Sequence, residues 1–274
     1  EVFALDMNYR LTLQYDGTDF HGWQMQEGRR TVQGELTRVL SLLEGEPVIV
    51  HGAGRTDAGV HAEAQVASFR LRRQITPERL RGALNGNLDW DVRAIEVEVA
   101  PEEFHARFSA RSKTYVYRIF NAPFISPFWR RYALHEARQI DLERMRQAAR
   151  FFLGTHDWTA FSAAQTEARS RVRTVTELEI EERWSMRGRG RLIEIKITAN
   201  GFLRYMVRSI VGTLLEIGRG EMELETPRRA LLTGERELVG ATAPAHGLTL
   251  VHVDYAETMA GWASAGAAAG DDDD

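Results

Sequence analysis

Apolar and polar or β-branched residues alternate along Tyr9–Asp16, Val48–Gly52, Gln65–Leu71 and Val92–Val99, the period of half-buried strands. Between these stretches the period lengthens. Val32, Leu36, Val39, Leu40 and Leu43 recur at helical spacing and define one apolar face. Thr31 stands where an N-cap belongs, and Gly45 stands where the helix should stop. Thr76-Pro77-Glu78 opens a second helix that runs to about Leu84, with its proline in the first turn. The first half therefore reads β-α-β-β-α-β.

The second half repeats that order. Strand patterns fall at Thr114–Phe120, Arg171–Glu182, Leu192–Ala199 and Leu248–Tyr255. A helix is expected over Leu142–Leu153, capped by Asp141 and stopped by Gly154. A longer one is expected over Gly201–Ile217, burying Phe202, Leu203, Met206, Val207, Ile210, Val211, Leu214 and Leu215. A short helix near Pro227–Thr233 delays the last strand. The expected fold class is α+β. It consists of two ferredoxin-like βαββαβ units forming a mixed or antiparallel sheet, with helices on one side and a central cleft. The units are expected at 8–103 and 104–255, without a residue-level repeat. The Ala-Gly-Ser stretch over 256–274, ending in four aspartates, has no periodicity and is expected to fray.

Composition narrows the chemistry. The 274 residues are 43% apolar and 27% charged, as in ordinary globular proteins. The absence of cysteine excludes disulfide scaffolds, thiolate metal sites and cysteine nucleophiles. No apolar run approaches the roughly 18 residues of a membrane span. Glu1–Asp6 lacks the basic start of a secretory signal. No membrane association and a cytoplasmic location are therefore expected. The net charge of −4 argues against a nucleic-acid partner, but its distribution argues the other way. Without Asp271–Asp274, acidic and basic residues are equal in number. The window 104–135 contains no Asp or Glu, yet holds Arg107, Arg111, Lys113, Arg118, Arg130 and Arg131. Arg183, Arg187, Arg189 and Arg191 form a second cluster, and Arg29-Arg30 a pair. Base composition explains why 33 of the 35 basic residues are arginine. It does not explain an acid-free window.

The chemically pointed segment is His51-Gly52-Ala53-Gly54-Arg55-Thr56-Asp57-Ala58-Gly59-Val60-His61-Ala62, between the second and third strands. Its glycines let the backbone turn tightly and approach a partner. Arg55 and Asp57 can point into one cleft, which describes an oriented, ionised carboxylate able to act as nucleophile or base. A surface hairpin carrying an Arg–Asp pair accounts for the same residues. A P-loop is excluded because no Lys-Ser/Thr follows the glycines. His51, Asp57 and His61 do not have the spacing of metal ligands, so no metal is expected.

Gly54–Ala62 resembles the signature of tRNA pseudouridine synthases of the TruA type. So do Tyr15-Asp16-Gly17-Thr18-Asp19-Phe20-His21-Gly22-Trp23-Gln24, Thr31–Leu36, Phe104–Arg111 with Lys113–Tyr117, Phe202–Gly212 and Pro244–Leu248. The blocks run in order over nearly the whole chain, from about residue 9 to 255. The resemblance implies isomerisation of uridine to pseudouridine at positions 38–40 of the tRNA anticodon stem-loop, without a cofactor. It implies that Asp57 is the catalytic aspartate, either attacking C1′ or removing a ribose proton. It places Arg55 beside Asp57 or on a flipped-out nucleotide, and Arg208 against the aspartate. Tyr115 would stack on the uracil, with Tyr117 as the competing choice, and Leu248 would wall the pocket. The partners implied are tRNA and a second copy of the chain, as a homodimer. Arg29, Arg30, Arg107, Arg111 and Lys113 suit phosphate contacts. His21, Trp23 and Gln24 face either RNA or, for Trp23, the core. A non-catalytic tandem RNA-binding module is the alternative, although no strand carries the aromatic RNP pattern. A carboxylate glycosidase would need a second placed carboxylate; Asp16 and Asp19 are candidates, but nothing in their spacing favours them.

Overall fold

The structure, a computed structural model, describes residues 6–165 and 169–256. It is a mixed α/β protein with ten mostly antiparallel strands and five α-helices among the described residues. Two compact units divide it. The first takes in the described residues up to Thr56, then Ala62–Arg111 and those from His252 on; the second holds Asp57–His61 and Ser112–Val251. The tail expected to fray lies outside the described residues beyond Ala256.

In the first unit, β1 (Met7–Tyr15) buries Tyr9, Leu11, Leu13 and Tyr15 at every second position, as its alternation requires. α1 (Val32–Glu44) buries Val32, Leu36, Val39 and Leu40. The Thr31 side chain accepts from the Gly34 amide, and Gly45 closes the helix in the left-handed region at φ 86°. β2 is two residues long, His51–Gly52, because Val48 and Val50 are buried without joining a ladder. β3 (His61–Leu71), α2 (Pro77–Asn87) and β4 (Val92–Ala100) follow. β4 and β3 flank β1, and β2 pairs with β3, all antiparallel. Trp23 is 2% exposed, a core residue. Gly52 makes room for it: a Cβ there would lie 2.4 Å from the indole.

In the second unit, β5 (Ala110–Asn121) pairs in parallel with the short β6 (Leu134–Glu136) and antiparallel with a later strand. α3 spans Leu142–Ala149, capped by Asp141, whose carboxylate accepts from the Arg144 amide. A 3-10 turn extends it through Phe152. Gly154 does not stop a helix as expected but opens β7 (Gly154–Asp157). Its register places it opposite Val175, and the Thr155 and Thr174 hydroxyls meet at 2.8 Å. β8 (Val172–Ser185) and β9 (Gly190–Ala199) form a long hairpin, giving the order β5-β9-β8-β7.

α4 runs from Met206 to Gly218 and is buried nearly all round. It was expected from Gly201, but the Arg204 carbonyl accepts from the Ala163 amide and Tyr205 turns left-handed at φ 67°. Both prevent helix over 201–205. α5 (Thr226–Thr233) precedes β10 (Leu248–Tyr255), whose first four residues belong to this unit beside β5. Among the described residues no helix is long and apolar enough to cross a membrane.

Candidate active site

The loop carrying Asp57 is held at both ends. Upstream, within the first unit, the Ala53 amide donates to Val66 and the Gln65 side chain donates to the Gly54 carbonyl at 2.9 Å. The Trp23 amide donates to the Thr56 carbonyl, and the Tyr15 and Thr56 hydroxyls meet at 2.8 Å. Burial pushes the Tyr15 phenol up to about 12, so it is held neutral as a structural hydrogen-bonding group. Thr56, the residue before Asp57, therefore has no rotational freedom to spare. Arg55 is exposed on this same loop.

Downstream, within the second unit, the Val60 amide closes a turn onto the Asp57 carbonyl, with Gly59 at φ 80°. His61 is buried, and its Nε2 lies 2.8 Å from the Arg131 carbonyl and 3.2 Å from that of His246. Both neighbours are acceptors, so Nε2 carries the proton and donates.

A strap over residues 243–248 ties this turn to its surroundings in the second unit. The Ala243 amide donates to the Arg208 carbonyl, and Arg208 Nε donates back to the Ala243 carbonyl at 2.7 Å. The Tyr117 hydroxyl donates to the Pro244 carbonyl at 2.9 Å. Ala245 packs against Gly59, where a Cβ would lie 3.3 Å away. Gly247 admits the Tyr117 ring, and Gly212 on α4 lets the lead-in to the strap, at Ala241, touch the helix backbone. A side chain at Gly212 would meet the Ala241 carbonyl oxygen head-on.

Asp57 is thus presented, partly exposed, to two guanidiniums. Arg208 Nη1 donates to Oδ2 at 3.2 Å, from a side chain only 16% exposed. Arg204 Nε stands 3.8 Å from Oδ1, and its side chain is 61% exposed. Tyr205 lies under both, with the two guanidinium carbons 4.8 and 5.1 Å from its ring centroid. A carboxylate in this setting is oriented and anchored by one oxygen, which suits a nucleophile or a base. His246 is pushed below the usual imidazole range by burial first and by its neighbours His61 and Arg208 second. It is neutral near pH 7 and leaves the cationic surplus at Asp57 to the arginines. Among the described residues no three His, Asp or Glu side chains are grouped to hold a metal ion.

Of the residues singled out in the sequence, Arg208 meets Asp57 directly. Tyr115 and Leu248 are buried in the same unit, and Phe202 meets the Tyr115 ring edge-on at 5.1 Å. Tyr117 is fully buried with its hydroxyl committed to Pro244, which makes it a support. Arg30 forks onto Asp91 at 2.6 and 2.8 Å, reaches Asp89 and covers the Phe20 ring. Its charge is neutralised within the first unit. Arg29, Arg107 and Arg111 are exposed, while Lys113 is half-buried. Arg204, which also approaches Asp57, is not marked as a site residue by any motif in the sequence. Its signal is its place four residues before Arg208, in a stretch where the apolar period predicts helix and the chain is irregular.

A family model described as tRNA pseudouridine synthase matches residues 12–109 and 148–256. The chain is 43% identical over 247 residues to the tRNA pseudouridine synthase A of Anoxybacillus flavithermus, covering 90% of this chain and 98% of the relative. It is 40% identical over 248 residues to that of Acetivibrio thermocellus, covering 90% and 99%. It is 38% identical over 249 residues to a tRNA pseudouridine synthase A 2 of Bacillus cereus, again covering 90% and 99%.

Proposed function

The chain belongs to the tRNA pseudouridine synthase family, and on that premise we propose that Asp57 is the residue at which it turns uridine into pseudouridine. The isomerase breaks the N1–C1′ bond, rotates the uracil and rejoins C1′ to C5, so C5 loses one proton, N1 takes one up and the formula is unchanged. The observation that carries the assignment is the Asp57–Arg208 pair. The pair holds a carboxylate on a glycine-bounded turn by one oxygen, with only the longer approach of Arg204 at the other. Arg208 keeps the charge and the orientation together, since its second bond to Ala243 prevents it from following the carboxylate.

Tyr115 is assigned to stacking on the uracil, while Tyr117, fully buried with its hydroxyl on the Pro244 carbonyl, supports the strap. Leu248, buried on the same unit, is assigned to the apolar wall, and Arg55, exposed on the catalytic loop, to the displaced nucleotide. The target is the anticodon stem-loop at positions 38–40, whose base must leave its stack at a cost of a few kcal/mol. Arg29, Arg107, Arg111 and Lys113 supply phosphate contacts that offset it. The enzyme works without a cofactor, as a homodimer in the cytoplasm, where tRNA is found.

Both units are read as ferredoxin-like. The order β4-β1-β3-β2 of the first, and β10-β5-β9-β8 of the second, support that reading, each with a helix after its first and third strands.

The test is tritium release from unmodified tRNA carrying 5-³H-uridine. Wild type releases tritium, and Asp57→Ala loses about 10⁴-fold, the upper range for a positioned acid–base group, while still binding tRNA. Turnover by the variant at the wild-type rate removes Asp57 from the chemistry.

A further inference from the structure

The two arginines at Asp57 hold it unequally. Arg208 is mostly buried, donates to Oδ2 and has the Ala243 carbonyl as a second acceptor. Arg204 is mostly exposed, and its approach to Oδ1 is too long for a hydrogen bond. Its other anchor is the Tyr205 hydroxyl, which accepts from Nη2 at 3.0 Å. Two cations share one carboxylate, and within this unit neither arginine is ion-paired to another acid among the described residues. The site therefore carries a surplus positive charge on its outer side. Repulsion between the guanidiniums falls on the one that is free to move.

Tyr205 adds a second sign of a built arrangement. It adopts φ 67° without being glycine, a conformation that is strained for an L-residue. The strain places its ring under both guanidiniums and its hydroxyl within reach of Arg204. An ordinary helical start at this position would put the ring elsewhere.

We propose that Arg204 is a positioning residue that covers Oδ1 of Asp57 in the free enzyme and is drawn off onto a backbone phosphate when tRNA binds, with Tyr205 as its perch. Oδ2 is then the permanently held oxygen, and Oδ1 is the one uncovered for reaction. An exposed, long ion pair is weak, whereas an arginine on RNA phosphate gains a forked contact and releases counterions. The exchange is thus favoured only where the polyanion is present, and it exposes the reacting oxygen only in the complex. This inference rests on the assignment of Asp57 above.

The experiment is a double-mutant cycle read in tRNA binding and its salt dependence, with Asp57→Asn and Arg204→Gln singly and together. Asp57→Asn frees Arg204, so it tightens binding about two- to fivefold more in the wild-type background than in the Arg204→Gln background, the range an exposed ion pair spans. Arg204→Gln alone lowers the slope of log K against log[salt] by about one and raises KM with little change in kcat. Arg204→Lys restores most of the slope, which separates a lost phosphate contact from a misfolded variant. Equal tightening by Asp57→Asn in both backgrounds overturns the exchange, as does a salt slope that Arg204→Gln leaves unchanged. Because binding is the readout, residual turnover by Asp57→Asn would count against the role of Asp57 and not against the coupling.

Discussion

Helix α4 and the five residues that enter it each offer an arginine to the same carboxylate, and they offer it in opposite ways. Arg208, on the helix, is mostly buried and bonded to both Asp57 and the Ala243 carbonyl. Arg204, on the irregular entry, is exposed and holds Oδ1 only at long range. The residue type is the same, so the difference lies in the backbone beneath it. A buried guanidinium needs every donor it can satisfy, and the strap at Ala243 supplies an acceptor. An exposed one retains its water and can leave. Fixed charge orients a reacting group, and movable charge meets a substrate.

Breaking the fixed side should have the largest effect. Arg208→Met leaves Asp57 partly buried without its anchor and removes a bond to the strap. Stability should fall by about 3 kcal/mol, and tritium release by at least about a hundredfold, as for loss of a placed electrostatic partner. Chemical denaturation and single-turnover assays check the two separately. Arg204→Gln should leave the denaturation midpoint where it is, so equal destabilisation by both substitutions would erase the contrast.

The same contrast between committed and uncommitted arginines extends to the surface. Arg30 is neutralised by Asp91 and Asp89, whereas Arg107 is exposed over the Phe108 ring. Arg107→Ala and Arg111→Ala should each lower the salt slope of tRNA binding by about one. Arg30→Ala should leave that slope unchanged and act on stability instead. Filter binding over a salt series distinguishes the three, and a slope that falls for Arg30→Ala would mean that its ion pairs open on RNA.

The smallest expected effect concerns the upstream clamp. Tyr15 ionises at about 12 in the folded protein and near 10.0 when free. A folded value above the unfolded one contributes stability that is complete below pH 10.0 and drains away as pH rises toward about 12. Tyr15→Phe should flatten part of that alkaline loss. Tyr117 and Tyr255, also raised by burial, retain the remainder. Urea midpoints measured between about pH 9 and 11 provide the check, and parallel curves for the variant and the wild type would show that Tyr15 titrates normally.

Regular elements were legible where one face alone is buried. The alternation of Tyr9, Leu11, Leu13 and Tyr15, and the Thr31 cap and Gly45 stop of α1, needed no partner to be recognised. Short strands were not. β6 and β7 are too brief to show a period, and Gly154 pairs across to Val175 only because β8 is there. The site divided along the same line. Asp57 and Arg208 lay in recognisable motifs, and Arg30 looked as available as Arg29 until Asp91 stood against it.

The sequence by itself determined the family, the candidate loop that carries Asp57 and the period of the long elements, because these depend on residue type and on neighbours a few positions away. Only the tertiary structure decided where α4 begins, which tyrosine commits its hydroxyl to Pro244, which arginines are already neutralised and which oxygen of Asp57 is held. Each of these turns on a partner remote in the chain: Ala163 for the Arg204 carbonyl, Pro244 for Tyr117, Asp91 for Arg30 and Arg208 for Oδ2. Hydrogen bonds and ion pairs are decided by distances of an ångström or less, and one-dimensional spacing carries no such information across 151 residues.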